Sequence, residues 1–462
     1  MRVKLLIVIC LLLSALLPSC KKFLEVTPKS SLSEDELFES EVGFEQALTG
    51  VYSQMASRDL YGDLLSMSFV SVLAQNYATL GSFSPFGQTK LLNYTSGEVM
   101  GYTNSIWTKS YTAIAGLNKI LINSEKKRAV LSAQNYAITR AEALALRAYL
   151  HFELLRLFGP EFSAGAGLKA IPYKKTADEY AIVPSTTEEV INQALADLAE
   201  ATSLLKDKDP ILANALSRQI RMNYYAVRAL EARIRIYMGD KAGAFSAAQI
   251  VVNSGKFPFI TVPQASASAA FRDRLYLQEQ VFCLRVRDIR AWAELLYFGA
   301  NASPGSKLTR TPANFSTLYE NSSTDIRFLY RFESGMPSKF WQTYSFNTLD
   351  SNRLDQNVPL IRISEMYYIM AEAATTPEEG VGYLNMVRRN RSLPNLSTTI
   401  NTVTLNNEIT KEYQKEFYGE GQLFYYYKRK KVVRMQFMTA DIQLSKYVLP
   451  IPQSELEFNP NY

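Results

Sequence analysis

The chain has 462 residues, 47% hydrophobic and 20% charged, with 50 Lys and Arg against 44 Asp and Glu for a net charge of +6. At about 150 residues per domain this length allows two to four domains or one large one, and the composition excludes a largely disordered chain, a coiled-coil rod and a polytopic membrane protein. A single histidine, His151, rules out any site that needs two, such as a His-x-x-x-His zinc motif. The charges are too interspersed for a nucleic-acid-binding stripe.

Arg2 and Lys4 form a basic n-region, and Leu5 to Leu17 an almost unbroken apolar run. That run is too short to span a bilayer comfortably and reads as the h-region of a signal peptide. It ends at Leu17-Pro18-Ser19-Cys20, which looks like a bacterial lipoprotein cleavage site, where a small residue precedes the cysteine. On that reading residues 1–19 are removed and the Cys20 thiol takes a diacylglycerol. Acyl chains at about 0.8 kcal/mol per buried methylene then anchor the protein without spanning. The alternative is ordinary secretion with an incidental cysteine. Loss of the leader would remove two positive charges and Cys10, leaving Cys283 with no partner for an intramolecular disulfide once Cys20 is acylated.

Residues 20–31 read as a polar tether. Ser33 with Glu36, Thr186 with Glu189, and Thr376 with Glu379 behind Pro377 each fit a capping box at a helix start. The stretch from 80 to 101 reads as loop. The clearest helix is Arg140 to Phe158, stopped by Gly159-Pro160. It carries two apolar flanks, Ala141, Leu144, Ala148, Phe152 and Leu155 on one side and Leu146, Leu150, Leu154 and Leu157 on the other, so it should pack between two neighbours as in a helical solenoid. Met222 to Met238, a Gly239-Asp240 turn and Ala242 to Asn253 make a helical hairpin of tetratricopeptide type. Similar pairs fit 104–123 with 140–158, 187–205 with 222–238, and 361–374 with 377–391. Residues 256–358 are rich in Pro, Ser, Asn and aromatics, with a strand-like run at Gln280 to Val286. Irregular insertions of this kind are where binding usually lives. The predicted fold is mainly α: a degenerate tetratricopeptide-type helical-repeat scaffold at about 32–255 and 359–462, carrying a large loop-rich segment at about 256–358, within one domain from 32 to 462.

Four strings, in order, resemble the SusD/RagB-like nutrient-binding lipoproteins. They are Arg140-Ala-Glu-Ala-Leu-Ala-Leu-Arg-Ala-Tyr-Leu-His-Phe through Gly159-Pro160, Asn357-Val-Pro-Leu-Ile-Arg-Ile-Ser-Glu-Met-Tyr-Tyr, Leu384-Asn385 through Arg391, and Tyr447-Val-Leu-Pro-Ile-Pro-Gln-Ser-Glu-Leu running to Asn459-Pro460-Asn461. One block departs. Where the family usually has an acidic-Gly pair followed by an Arg and then an Asp, this chain has Glu420-Gly421 with Leu423 and Tyr426, which puts a structural ion pair in doubt. The resemblance implies a lipidated, outward-facing protein of the Gram-negative outer membrane. Such a protein caps a SusC-like TonB-dependent β-barrel transporter and delivers glycans or peptides to it. It also implies no enzymatic activity, no cofactor and no nucleic-acid partner, with an oligosaccharide as the expected cargo. A surface glycoside hydrolase, and a structural adhesin without a small ligand, are the alternatives.

Sugar recognition needs flat apolar faces for the rings and polar side chains for the hydroxyls. The loop-like regions offer Tyr77, Phe83 and Phe86 in one place and Trp292, Phe340, Trp341 and Tyr344 in the other. Trp341, beside Lys339 and Gln342, is the first candidate. Taken singly, each reads first as cover for the helical core. Trp107 and His151 sit in helical, apolar-periodic settings and read as packing residues. Glu365 and Glu372, seven apart, share one helix side at about 10 Å. A glycosidase instead needs two carboxylates about 5–9 Å apart across a bond, so a solvated or ion-paired face is expected. The basic run Lys428-Arg429-Lys430-Lys431 reads as a solvated helix edge, or as a contact for an anionic membrane or partner surface.

Overall fold

The computed structural model describes residues 33–78, 80–269, 271–298, 307–333, 336–341 and 356–462. Its longer helices are α1 (Glu41–Met55), α2 (Gly97–Lys126), α3 (Ala133–Phe158), α4 (Thr187–Leu205), α5 (Tyr224–Met238), α6 (Lys241–Asn253), α7 (Ile363–Ala373), α8 (Pro377–Arg389), α9 (Thr402–Glu416) and α10 (Gln422–Arg429). Each packs on the one before it, including α7 on α6, although residues 254–362 intervene. The helical stack therefore runs on across the loop-rich segment, which leaves it and returns. Helix makes up 58% of the structure and strand 5%, so the strands tie segments together rather than form a layer.

The ends of these helices follow from their first residues. Ser33 with Glu36 and Thr186 with Glu189 form complete capping boxes. At α8 the Thr376 hydroxyl caps Glu379, but the Glu379 carboxylate accepts from the Thr375 amide at 3.1 Å instead of closing the box. Two helices begin earlier than the apolar period indicates. Ser96 caps α2 at Val99 and makes 97–101 helical, and Ser132 caps α3 at Asn135. Gly239, at φ 89°, ends α5, and Asp240 immediately caps α6, the expected hairpin turn. Both flanks of α3 are buried, between α2 on one side and α4 on the other. Among the fully buried residues there is His151, whose Nε2 accepts from the Lys174 amide at 3.0 Å. Its Nδ1 therefore donates to the Arg147 carbonyl at 2.9 Å. Burial pushes the ring down to about 3, as befits a neutral packing residue.

Inside the loop-rich segment, β1 (Gln280–Arg285) pairs antiparallel with β2 (Asn357–Arg362), Leu284 opposite Val358, and β2 runs directly into α7. Short helices at Ile289–Ala293, Pro312–Leu318 and Ile326–Tyr330 lie between them. A buried ion network locks this segment to the C-terminal helices. The Glu416 carboxylate meets Arg391 at 2.8 Å, Arg327 at 2.9 Å and also Arg362, with all four side chains at most 1% exposed. Glu279 holds Arg391 from the other side at 2.6 Å, and Glu420 joins Arg362 at 3.0 Å to Lys339 at 2.6 Å.

One charge feature differs from the sequence reading, and another takes the ion-paired form of it. The basic run is mostly paired and buried rather than a solvated edge, with only Lys431 exposed. Lys428 is fully buried and donates to the carbonyls of Arg156 and Gly159 at 2.7 and 2.5 Å, capping the end of α3. Arg429 and Lys430 bind Glu372, and Lys431 reaches Glu161 at 3.3 Å. Glu365 and Glu372 are ion-paired but not solvated: Glu365 takes Arg233 through both oxygens at 2.7 and 2.6 Å, inside the stack.

Candidate functional site

The aromatic candidates separate into distinct environments. The Tyr77 ring is fully buried, its hydroxyl donating to the Met67 carbonyl and lying 3.0 Å from that of Tyr297. Phe340, 1% exposed, lines a cavity of about 10 Å³ with Tyr297 and Tyr418, room for about one water. The turn at 336–341 folds inward because Lys339 is held by the carbonyls of Glu416 and Tyr418 and by Glu420. Trp341 follows it, half-buried between Phe298 at 4.8 Å and the Arg290 guanidinium at 5.5 Å, and its buried indole N–H has no acceptor among the described residues. Phe83 is fully exposed at 103%. Tyr344, like Cys20 and the leader, lies outside the described residues.

Phe86 lines a cleft of about 780 Å³ that the spacing arguments did not locate, and Trp292 packs beside it. The cleft's other useful residues are Arg58, Asp63, Glu98, Tyr102 and Ser105. Phe86 takes a left-handed conformation, φ 64°, which costs a bulky residue about 1–3 kcal/mol and persists where surroundings over-determine it. Here Glu98, in the first turn of α2, accepts from the Gln88 and Thr89 amides and from the Thr89 hydroxyl at 2.8 Å. That clamp presses the Phe86 ring onto Tyr102, with centroids 5.0 Å apart and 23° between planes.

Also in the cleft wall, Arg58 and Asp63 form an ion pair at 2.8 Å, and the Arg58 guanidinium sits 5.6 Å over the Trp292 ring. Gly62 lets Trp292 come this close, since a Cβ there would fall 2.6 Å from its Cζ3. Trp292 lies on the helix Ile289–Ala293, which continues as a π-helical turn at Glu294–Phe298. That turn sends Leu296 to the cleft and Tyr297 into the core. Burial pushes the Asp63 carboxyl up, against the pull of Arg58 and Ser68, and burial with Glu98 raises the Tyr102 hydroxyl to about 12. Tyr102 is thus a neutral hydrogen-bonding phenol at any ordinary pH. Carboxylates, a guanidinium and a hydroxyl beside two lining aromatic rings, with Trp292 behind Arg58, can bind a polyol with apolar ring faces. Glu98 and Asp63 are each engaged by their own neighbours, which is a positioning arrangement.

Two family models match the chain. One, described as "Starch-binding associating with outer membrane", covers residues 22–236, and that of the SusD family covers residues 283–441. The chain belongs to the SusD family. A relative, SusD-like protein P25 of Formosa agariphila, is 25% identical over 181 residues, which are 37% of this chain and 34% of that protein, so the match spans about a third of the relative's length. A putative sugar-binding protein from Bacteroides vulgatus superposes with a TM-score of 0.70 at 23% identity, over 91% of this chain and 97% of that one. A SusD-like carbohydrate-binding protein from the same species gives 0.73 at 17% identity, with 91% and 97% covered. The SusD family is associated with the outer membrane, and among the described residues no helix is long and apolar enough to cross one.

The block that departs from the SusD pattern is packed into the core. Leu423 and Tyr426 are buried, and Tyr426 stacks on Tyr413 at 4.0 Å. Arg156 lies 3.7 Å over the neighbouring Tyr425 ring. The doubt about an ion pair at these two positions is met by an apolar Leu423 and a stacked Tyr426.

Proposed function

We propose that this protein captures an oligosaccharide in the Phe86–Tyr102–Trp292 cleft at the cell surface and hands it to a SusC-like TonB-dependent β-barrel transporter. In this reading residues 1–19 are a cleaved signal peptide. Cys20 carries the lipid anchor, residues 20–31 are its tether, and residues 32–462 form one ligand-binding domain on the outer membrane.

The observation that carries the reading is the cleft itself, with aromatic faces held rigid next to charged and hydroxyl groups. Its volume falls in the range of about 300–1,000 Å³ usual for small-molecule sites. Membership of the SusD family supports it, as does the lipoprotein-like leader. The reading assigns the protein no bond chemistry: it retains and presents its ligand.

Tryptophan fluorescence tests the location. A bound saccharide is expected to change the emission of Trp292, so Trp292→Phe should remove the ligand-induced change while Trp107→Phe, deep against Phe158, retains it. The reverse pattern would place binding elsewhere.

A further inference from the structure

A second, larger cavity of about 890 Å³ has walls that include Gln75, Tyr77, residues 90–92, Arg310 and residues 437–443. Three cations line it, Lys90, Arg310 and Lys446, against a single carboxylate, Asp441, which pairs with Arg434 at 2.6 Å. Arg310 is 5% exposed and donates to the carbonyls of Asn76 and Gln75, with its guanidinium 3.9 Å over the Phe437 ring. Lys90 Nζ donates to the Tyr77 carbonyl at 2.6 Å, and Lys446 Nζ to that of Leu92 at 3.1 Å.

Among the described residues none of these three cations has a carboxylate partner. Arg147, Arg233, Arg327, Arg362 and Arg391, by contrast, each face one inside the fold. Buried charges are normally paired because desolvation is costly; Arg310 is buried and Lys90 and Lys446 are partly buried, so this cluster facing an open cavity is a place where an anion would be favoured. Burial and the like charge of Arg310 push Lys90 down to about 7, consistent with a missing counter-charge. The backbone adds an independent sign: Gln75, Leu92 and Phe437, all on this wall, are non-glycine residues at φ 61°, 54° and 68°. Such strain gathers at ligand sites.

We infer that this cavity binds the anionic group of an acidic saccharide, a carboxylate or a sulfate ester, with Lys90 and Lys446 meeting the charge and Arg310 holding the positive field from behind. The inference rests on the saccharide-capture reading and narrows its cargo to acidic glycans. Neutral polar groups on the same walls, Asn314, Thr439 and Gln443, suit the remaining hydroxyls.

The test is calorimetric titration of the full-length chain in detergent with trigalacturonate, its methyl-esterified neutral counterpart and inorganic sulfate, using wild type, Lys90→Gln and Lys446→Gln. Arg310 is left intact because it holds the 75–76 backbone. The acid is expected to bind at least about tenfold tighter than the ester, and Lys90→Gln to abolish that preference without weakening the ester more than about twofold. Sulfate binding that depends on Lys90, without preference for the galacturonate, would assign the site to sulfate esters. Equal binding of acid and ester with no bound sulfate overturns the anion site and leaves the aromatic cleft standing. A preference that survives both lysine substitutions also overturns it. Loss of ester binding in Phe86→Ala belongs to the cleft, so the two readings can fail separately.

Discussion

Phe86 stacks on Tyr102 at 5.0 Å, and it does so from a left-handed backbone conformation that Glu98 clamps through three hydrogen bonds. The clamp fixes this ring pair in the wall of the cleft, with Phe86 6% exposed and Tyr102 the more open of the two.

Truncating either ring should therefore weaken saccharide binding, and Phe86→Ala should also lower stability because its ring is part of the buried core. Phe86→Ala and Tyr102→Ala are each expected to lower affinity about tenfold, since an aromatic contact is worth about 0.5–1.5 kcal/mol beyond its area. Calorimetry reads the affinity and circular dichroism checks the fold. Unchanged affinity in both variants would remove the stacked pair from the site.

Glu416 is the hub of the buried ion network, and its loss would leave Arg327, Arg362 and Arg391 short of a counter-charge. Removing one member of a buried pair costs about 3–5 kcal/mol. Glu416→Ala should lower the urea midpoint accordingly, or prevent folding. The milder Glu372→Ala, which frees Arg429 and Lys430, should give a measurable folded variant. A change of less than about 0.5 kcal/mol in both, typical of a surface site, would contradict the network's structural role.

Acid should unfold the protein through the same groups. Burial alone would raise the Glu412 and Glu372 carboxyls. The cations around them outweigh it, Arg327, Lys415 and Arg388 in one case and Arg429 and Lys430 in the other, and each carboxyl is held down to about 2. A folded-state pKa below the unfolded one contributes stability that is complete above about pH 4.5 and is lost as pH falls toward 2. Thermal melts followed by near-ultraviolet circular dichroism should show Tm dropping steeply between about pH 4.5 and 3. A flat Tm across that window would contradict the assignment.

Gly421 opens α10 at φ 73°, and a Cβ there would lie inside contact distance of the Leu65 carbonyl. Gly421→Ala meets both a left-handed backbone and a rigid neighbour, so a loss of at least about 1–3 kcal/mol is expected. Gly382, with nothing within 4 Å of its added Cβ, is the control, and Gly382→Ala should be neutral or mildly stabilising in its helix.

The scaffold could be read from the chain because its signals are local. Ser33, Thr186 and Gly239-Asp240 mark helix ends through contacts within three or four residues, and the two flanks of α3 report its two neighbours. The cleft could not be read this way. Arg58, Phe86, Tyr102 and Leu296 meet only through tertiary packing, and Arg58 and Asp63 give no periodic signal. Tyr77 and Phe340 lie in irregular segments, yet both are buried, because the hydroxyl of one and the neighbouring Lys339 of the other find carbonyl partners inside. Lys428 misled for the same reason. A basic run looks solvated until the carbonyls ending α3 are placed beside it.

The most direct measurement is calorimetric titration of the full-length chain with a panel of neutral and acidic oligosaccharides, followed by chromatography of the ligand recovered from each cell. Saturable binding of a saccharide that depends on Phe86 and Tyr102, with every ligand recovered intact, is the expected result. Cleavage of the bound glycan, or saturable binding that ignores both rings, would contradict capture in this cleft.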